Sequence, residues 1–210
     1  DIVINAAGPH SADINTMAGV VGDMAFTTRA ERHEVAHVPN PDDAVGCVIG
    51  DGDTGVYMRP EVGGDMLIGS LDPSCDGRDF ADADNYNDKL TEQWTSQVWR
   101  AAQRIPGIQI PNLARGVVGL YDTTPDWVPV YDRSSLAGFY MAVGTSGNQF
   151  KNAPVIGDLM TELVTACEAG HDHDNDPVHF HLPALGRDVN LSFYSRKRRL
   201  HGEGSGTVLA

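Results

Sequence analysis

A strand, a glycine-rich turn and a helix follow one another before Gly170, and this succession constrains the fold more than any other stretch. Phe139–Val143 is an apolar run typical of a buried strand. The turn contains Gly144 and Gly147, and Pro154 then opens a segment with apolar residues at helical spacing. Such a turn lets backbone N–H groups face a ligand, and the helix start adds partial positive charge. The segment therefore predicts a site for an anion or an electron-rich ring, unless its glycines only close the bend.

The chain opens with a second short apolar run. Residues 2–5 read Ile-Val-Ile-Asn, and small residues with Gly8 and Pro9 close the run. The pattern predicts a buried strand of a parallel sheet, because it lacks polar alternation. A core strand needs neighbours at its edges, so we expect this sequence to be a fragment or to have lost a preceding part. The small residues Ala7 and Gly8 suit the close approach of a ligand or of another backbone.

The middle of the chain alternates in the manner of β-hairpins. The sequence predicts a short helix over 12–20 capped by Ser11, strands over 26–37, 44–49, 55–60, 65–70 and 108–118, a helix over 85–104, and mostly turns over 119–137. Hairpins that follow one another directly imply a largely antiparallel sheet.

The charge balance restricts the class of partner. The chain has 29 acidic and 15 basic residues among 210, a net charge of −14. Nucleic acids and anionic membranes are therefore excluded as expected partners, and no apolar run is long enough to span a bilayer. The three cysteines, Cys47, Cys75 and Cys167, are widely spaced, which predicts reduced thiols in a cytoplasm-like compartment.

Two motifs suggest ligand sites that their context argues against. Residues 50–55, GDGDTG, match the letters of a nucleotide-binding GxGxxG. The residues after them look like a strand rather than a helix, and the aspartates would repel a pyrophosphate, so a hairpin turn is favoured. His171, His173, His179 and His181 lie among aspartates, but their spacing fits no zinc template, and an exposed loop is favoured over a metal site.

Three further candidates have open alternatives. Arg59 follows Tyr57 in an alternating strand and is suited to clamp a carboxylate, or else it pairs at the surface with Glu61 or Asp65. Tyr121 lines a pocket or belongs to the core. Asp126 is an acid candidate, although Thr-Pro-Asp is more often a simple turn.

Four stretches together resemble a known family. Residues 2–9 are similar to "VVNAAGPW", residues 57–69 to "YxRPExGGxxxxG", residues 119–129 to "GLYxxTPDxxP", and residues 144–154 to "GxSGHGFKxAP". In this order they resemble the FAD-dependent amine and amino-acid oxidoreductases of the D-amino-acid oxidase superfamily, nearest to its glycine oxidase, sarcosine oxidase and dimethylglycine dehydrogenase branch. The resemblance covers the C-terminal part of such an enzyme, without the N-terminal GxGxxG unit that holds the ADP half of FAD.

The resemblance implies a fold of the α+β or α/β class in two domains. Residues 1–18 and 115–210 would form part of a discontinuous, Rossmann-like FAD-binding domain. Residues 19–114 would form a substrate domain built on a mainly antiparallel sheet.

The resemblance also implies a set of site residues. The residues expected at FAD are Ala7, Gly8, Gly119, Gly144, Ser146, Gly147, Asn148, Gln149, Phe150 and Lys151. Lys151 would be the catalytic residue, by stabilising charge on the reduced flavin or by holding the substrate carboxylate. Tyr57, Arg59 and Tyr121 would be further substrate contacts. Two departures matter: Asn148-Gln149 replaces the family's His-Gly, and residues 116–123 contain no cysteine for a covalent flavin link.

The implied reaction is hydride transfer from the carbon next to an amine to flavin N5. The substrate would be glycine, sarcosine, dimethylglycine, a D-amino acid or a larger amine, and the electron acceptor O2 or an electron-transfer protein. A fragment would be inactive alone. The alternatives are a non-catalytic flavoprotein subunit of the same fold and an acidic interaction domain. The sequence does not determine the oligomeric state.

Overall fold

The computed structural model describes residues 1–200 and divides into two compact units. Unit 1 comprises residues 1–30 and the described residues from Tyr121 onward, and unit 2 comprises residues 31–120. The last residues of the predicted FAD-binding segment, 201–210, lie outside the described part. The assignment of cofactor and substrate roles to segments 1–18 with 115–210, and 19–114, stays a prediction.

The regular elements alternate between short strands and three α-helices within residues 1–200. In chain order they are β1 (Val3–Asn5), α1 (Ser11–Met17), β2 (Arg29–Pro39), β3 (Ile49–Asp51), β4 (Val56–Pro60), β5 (Asp65–Ser70), α2 (Glu92–Ala102), β6 (Gly116–Thr123), β7 (Val130–Arg133), β8 (Phe139–Val143), α3 (Ala153–Glu168), β9 (His179–Leu182) and β10 (Arg187–Asn190). Five short 3-10 segments lie at Gly8–His10, Val21–Asp23, Pro41–Asp43, Phe150–Asn152 and Leu191–Tyr194.

Unit 1 is built around a three-stranded sheet in the order β1-β8-β7. β1 runs parallel to β8, with Val3 opposite Phe139, and β7 runs antiparallel to β8. Both faces of β8 are covered, because α3 packs Leu159 and Leu163 against Tyr140, while Val20 packs with Met141. The predicted strand, turn and helix at the centre of the chain are therefore confirmed.

The opening strand differs from its prediction in burial. The parallel pairing of β1 is confirmed, but Val3 is 53% exposed and Ile4 47% exposed. The predicted burial is wrong because, within residues 1–200, β1 has a neighbouring strand on one side alone. Ser11 does not cap the following helix either: α1 begins at Ser11 itself, and no side chain caps it.

Unit 2 contains a five-stranded sheet in the order β3-β4-β5-β2-β6. The pairings of β3 with β4, β4 with β5 and β5 with β2 are antiparallel, which confirms the predicted sheet. Trp94 and Val98 of α2 join Met58 and Ile68 in the core. Gln97 fixes the helix to two strands, since its Nε2 donates to the carbonyls of Glu34 and Ile68, each at 3.1 Å.

Several predicted boundaries are wrong. Residues 44–48 form no strand, because the chain first makes a 3-10 turn at Pro41–Asp43. The helix predicted from 85 starts at Glu92, where Thr91 caps it by accepting a hydrogen bond from the Gln93 N–H. Strand structure begins at 116 rather than 108, and 119–137, predicted as turns, contain most of β6 and all of β7.

The polar tail is ordered by pairing and by buried charge. β9 and β10 form an antiparallel hairpin that places Phe180 opposite Val189. His173 is buried, contrary to the exposed loop predicted for the histidine group, and its Nε2 lies 3.4 Å from Asp132 Oδ1. Its Nδ1 accepts a hydrogen bond from the Val178 N–H at 3.0 Å. Burial lowers the pKa of His173, so the neutral ring forms part of the packing.

Candidate functional site

The candidate cofactor site lies in unit 1, where two parallel strands end side by side. β1 leads into Ala7 and Gly8, and its partner β8 leads into Gly144. Ligands of α/β folds bind beyond the carboxyl ends of parallel strands. Ala7 is exposed, and Gly8 has a φ of +57° with nothing within 4 Å of the position that a Cβ would occupy. The backbone is therefore accessible at this edge.

The turn after β8 is held in a left-handed conformation, and close neighbours require glycine at two of its positions. Gly144, Ser146 and Gly147 have φ values of +70°, +50° and +78°. A Cβ on Gly147 would lie 2.4 Å from the ring of Tyr121, and one on Gly144 would lie 2.4 Å from Thr124 Cγ2. Both contacts are far shorter than van der Waals separation, so side chains are excluded at these positions.

A buried aspartate that sequence reasoning missed fixes this turn. Asp122 Oδ2 accepts a hydrogen bond from the Gly144 N–H at 2.6 Å, and its carbonyl accepts one from the Ser146 N–H at 2.8 Å. Burial raises the pKa of Asp122 above its ordinary value. These two N–H groups are thus satisfied inside the protein, as is the N–H of Asn148, which donates to the Thr145 carbonyl at 3.2 Å. An acidic residue inside an otherwise apolar strand was the available signal.

Lys151 closes the turn at the start of α3. Its side chain is exposed, and its Nζ donates to the Asn148 carbonyl at 2.8 Å. Gln149 Oε1 accepts from the Tyr131 hydroxyl at 3.2 Å, which ties the turn to β7. Phe150 is 99% exposed. The ammonium group therefore lies at the surface of the turn, and no carboxylate of residues 1–200 pairs with it.

An apolar hollow adjoins the turn. It has a volume of about 490 Å³, and its walls include Tyr131, Ala142, Gly147, Gln149 and Ile156. Flat aromatic rings bind in such hollows when a few polar groups fix their orientation. The accessible backbone at Gly8, the left-handed turn and this hollow fit the flavin ring that the family resemblance implies.

The predicted substrate residues of unit 2 lie on the face of β4 opposite to Met58. Tyr57 covers Gly69, where a Cβ would be 2.3 Å from the tyrosine ring. Arg59 Nη2 lies 3.0 Å from Glu61 Oε2 with 44% of the arginine side chain exposed, so it makes the surface pair that was one of its two alternatives. Gly119 is exposed on β6.

Within each unit, the predicted residues are only partly gathered. Tyr121 contacts the turn directly at Gly147. Ala7 and Gly8 share the strand edge with the turn. Tyr57, Arg59 and Gly119 belong to unit 2.

The Thr-Pro-Asp stretch is an anchored turn. Asp126 is 4% exposed and forms a two-pronged ion pair with Arg198, with Oδ1–Nη2 and Oδ2–Nε distances of 2.8 and 3.0 Å. Arg198 also donates to the Val128 carbonyl at 2.6 Å and lies over the ring of Phe26. This geometry favours a structural role for Asp126 over that of an acid. Arg198 was missed because basic residues clustered in a polar stretch are usually solvated.

Comparison with known proteins gives a family match over most of the chain. The family described as DAO, FAD dependent oxidoreductase, matches residues 1–163. The FAD-dependent oxidoreductase domain-containing protein 1 of Bos taurus is 27% identical over 185 residues, which cover 78% of this chain and 35% of that protein. The Mus musculus protein of the same name is 26% identical over 180 residues, with the same coverage. The chain thus spans about a third of the length of these relatives.

Solved structures share the fold. L-proline dehydrogenase from P. horikoshii is similar with a TM-score of 0.66 and 20% identity, over 93% of this chain and 46% of that one. Glycine oxidase from Geobacillus kaustophilus is similar with a TM-score of 0.61 and 19% identity, over 86% and 46%. The predicted mixed fold class is confirmed by these matches. Within residues 1–200, no helix has the length and apolar character needed to cross a bilayer.

Proposed function

Because this chain belongs to the DAO family of FAD-dependent oxidoreductases, we propose that it forms part of a flavoenzyme that oxidises the carbon–nitrogen bond of a small amine or amino acid. The family's cofactor is FAD. Proteins of similar structure are named glycine oxidase, L-proline dehydrogenase and iminodiacetate oxidase, and each of these names refers to an amine-bearing acid. Since the chain spans about a third of its curated relatives, the complete activity is proposed for the complete protein.

The left-handed turn at the edge of β1 and β8 is the observation that carries this proposal. The backbone at Gly8 and the hollow beside Gly147 suit a flat ring, and Asp122 holds the turn in place. Bound FAD supplies the acceptor for the hydride that leaves the amine-bearing carbon. The chain's own residues would supply binding, orientation and charge.

Lys151 is proposed as the charged group of the site. Its ammonium is engaged by one backbone carbonyl alone among the described residues, so it can turn towards an anion at little energetic cost. It would stabilise negative charge on the cofactor or hold the carboxylate of the substrate. Tyr121, which contacts Gly147, and Tyr57 and Arg59 of unit 2 remain proposed substrate contacts.

The remaining partners are proposed from chemistry. The electron acceptor would be O2 or an electron-transfer protein. A reducing, cytoplasm-like compartment stays a prediction. An acidic interaction domain with coincidental motifs is not supported, because the family match covers residues 1–163.

An anaerobic absorbance titration of the complete protein tests the proposal. Amino acids and secondary amines are added in turn while the oxidised flavin band is followed, and we expect one of them to bleach it. A flavin band that no amine bleaches would favour the non-catalytic flavoprotein, and a protein that binds no FAD would contradict the cofactor site.

The role of Lys151 is tested with Lys151→Ala, and exposed Lys89 provides the matched control variant. If Lys151 holds the substrate carboxylate, its loss raises KM for amino acids and leaves KM for an uncharged amine unchanged. If Lys151 stabilises the reduced cofactor, its loss lowers the reduction potential of the bound flavin, whichever substrate is used. We expect Lys89→Ala to change neither quantity, and equal effects of the two variants would contradict a role for Lys151.

A further inference from the structure

Three side chains in unit 2 bring potential metal ligands together, whereas the candidate cofactor site belongs to unit 1. Glu31, His33 and Asp72 each offer one ligand atom, and these atoms lie within 4.8 Å of one another. His33 Nε2 is 3.6 Å from Asp72 Oδ2. Bonds of about 2.0–2.2 Å place two ligand atoms of a tetrahedral zinc ion about 3.4 Å apart. The three ligand atoms therefore need to move only slightly closer together to coordinate a small cation.

Local structure explains why these three residues converge. Glu31 and His33 are two apart on β2, and residues at that spacing point to the same side of a strand. Asp72 follows β5 with a φ of +51°, a conformation that aspartate tolerates better than most residues. Ser70 Oγ accepts a hydrogen bond from the Asp72 N–H at 2.9 Å and donates one to Asp76 Oδ2 at 2.6 Å. The turn that carries Asp72 is thus fixed by its own hydrogen bonds.

One carboxylate oxygen of the cluster is buried and receives no hydrogen bond from the described residues. Asp72 Oδ2 is buried and has no hydrogen-bond partner within residues 1–200. Burial, together with the charge of Glu31, raises the pKa of Asp72 to about 7. Burial lowers the pKa of His33 to about 4, so its ring is neutral, the form in which histidine binds metals. A cation at this place would relieve the repulsion between the two carboxylates.

Arg78 is the cation that contacts Glu31, so it competes with a metal ion, and the charges of Arg32 and Arg100 also act on the cluster. Arg78 Nε donates to Glu31 Oε1 at 2.8 Å, and its Nη2 contacts Glu31 Oε2. Each carboxylate oxygen has two acceptor positions, so Glu31 can keep Arg78 and still ligate. A polar cavity of about 160 Å³ adjoins the cluster and has room for water ligands.

We propose that Glu31, His33 and Asp72 form a site for one divalent transition-metal ion, with Zn²⁺ as the best match and water completing its shell. One imidazole nitrogen with two carboxylates suits zinc, whereas Ca²⁺ and Mg²⁺ prefer oxygen ligands throughout. The ion would join β2 to the segment after β5. This site is independent of the proposed flavin chemistry.

Zinc titration of the complete, tag-free protein, first dialysed against a chelator, tests the proposal by calorimetry. We expect one equivalent of Zn²⁺ to bind and a large excess of Mg²⁺ not to compete. His33→Ala should weaken binding at least tenfold, the range seen when zinc sites are disturbed. Arg78→Gln should strengthen it, because a competing positive charge is removed.

Two controls keep the result interpretable. His181→Ala removes an exposed histidine of unit 1 and should leave zinc affinity unchanged. Circular dichroism shows whether His33→Ala folds, and Asp72→Asn, a nearly isosteric change, replaces it if it does not. The proposal is overturned if wild-type protein binds no Zn²⁺, or if the folded His33 or Asp72 variant binds it as tightly as wild type.

Discussion

Removing the guanidinium of Arg196 should destabilise unit 1 more than any change at a neighbouring exposed residue. The Arg196 side chain is fully buried and meets three aspartates: Asp23 at 2.9 Å, Asp132 at 3.0 Å and Asp174 at 2.9 Å. Arg196→Met keeps most of the buried aliphatic volume and removes the charge. The acidic partners then stay without their shared counter-ion.

The expected loss follows from the burial of each partner. Breaking a buried ion pair by deleting one member costs about 3–5 kcal/mol. Asp132 is wholly buried but retains the Ser195 hydroxyl at 3.1 Å and the backbone N–H of residue 196 at 2.8 Å. The side chains of Asp23 and Asp174 are 14% and 26% exposed, so water reaches them. We therefore expect the lower end of that range, about 3 kcal/mol.

Urea unfolding at two pH values measures this loss, with Lys197→Met as the matched control. Lys197 is half exposed and pairs with Asp174 at 2.9 Å, so its loss should cost under about 1 kcal/mol. Hydrogen bonds from Arg196 hold the pKa of Asp174 well below its ordinary value. Stability from that shift is present above the unfolded pKa, about 3.9, and is lost as the pH falls.

The difference between wild type and Arg196→Met should therefore shrink from pH 7 to about pH 3, where the unpaired carboxylates become protonated. A loss no larger than that of Lys197→Met at pH 7 would refute the reasoning. So would a difference that does not change with pH.

Two more predictions concern backbone geometry. Gly147→Ala should weaken FAD binding by the complete protein at least tenfold, because the left-handed φ costs about 1–2 kcal/mol and the new Cβ meets the Tyr121 ring. Gly157→Ala, in α3 with open space around it, should leave FAD affinity unchanged, and equal affinities of the two variants would contradict the requirement. Thr91→Ala should lower the free energy of unfolding by about 2 kcal/mol, since it removes the α2 cap and a hydroxyl bond to buried Glu34. Exposed Thr95→Ala should change that free energy by under about 0.5 kcal/mol in chemical denaturation, and similar values for both would refute the capping role.

The sequence was most informative where one local signal dominated. The Phe139–Val143 strand and the following helix were predicted almost to the residue, since an apolar run, glycines and a proline all indicated the same boundaries. The GDGDTG motif at 50–55 was correctly interpreted as a hairpin, because the structure pairs β3 with β4 across it. The assignment of the turn of residues 144–151 as the cofactor site stays a prediction.

Predictions failed where a distant partner decided the outcome. β7 was interpreted as turns because Tyr131 and Asp132 lie among prolines and polar residues, and the strand is set by pairing with β8 and by the buried arginine from the tail. The basic residues at 196 and 198 look solvated in sequence, yet both are buried against aspartates more than 60 positions away. Local patterns contain no information about such contacts. Asp122 was missed for a different reason, because its one local signal, an acidic residue in an apolar strand, was not used.

The burial of Arg196 and Arg198 has a consequence for folding during translation. The Arg196–Asp23 bond joins residues 173 positions apart, and unit 1 consists of two segments separated by all of unit 2. On the ribosome, the chain of unit 2 is complete about eighty residues before these arginines emerge, so unit 2 can fold while unit 1 cannot yet close. Contacts of such sequence separation also slow folding. Asp23, Asp126 and Asp132 therefore stay hydrated until Arg196 and Arg198 have emerged and can neutralise them.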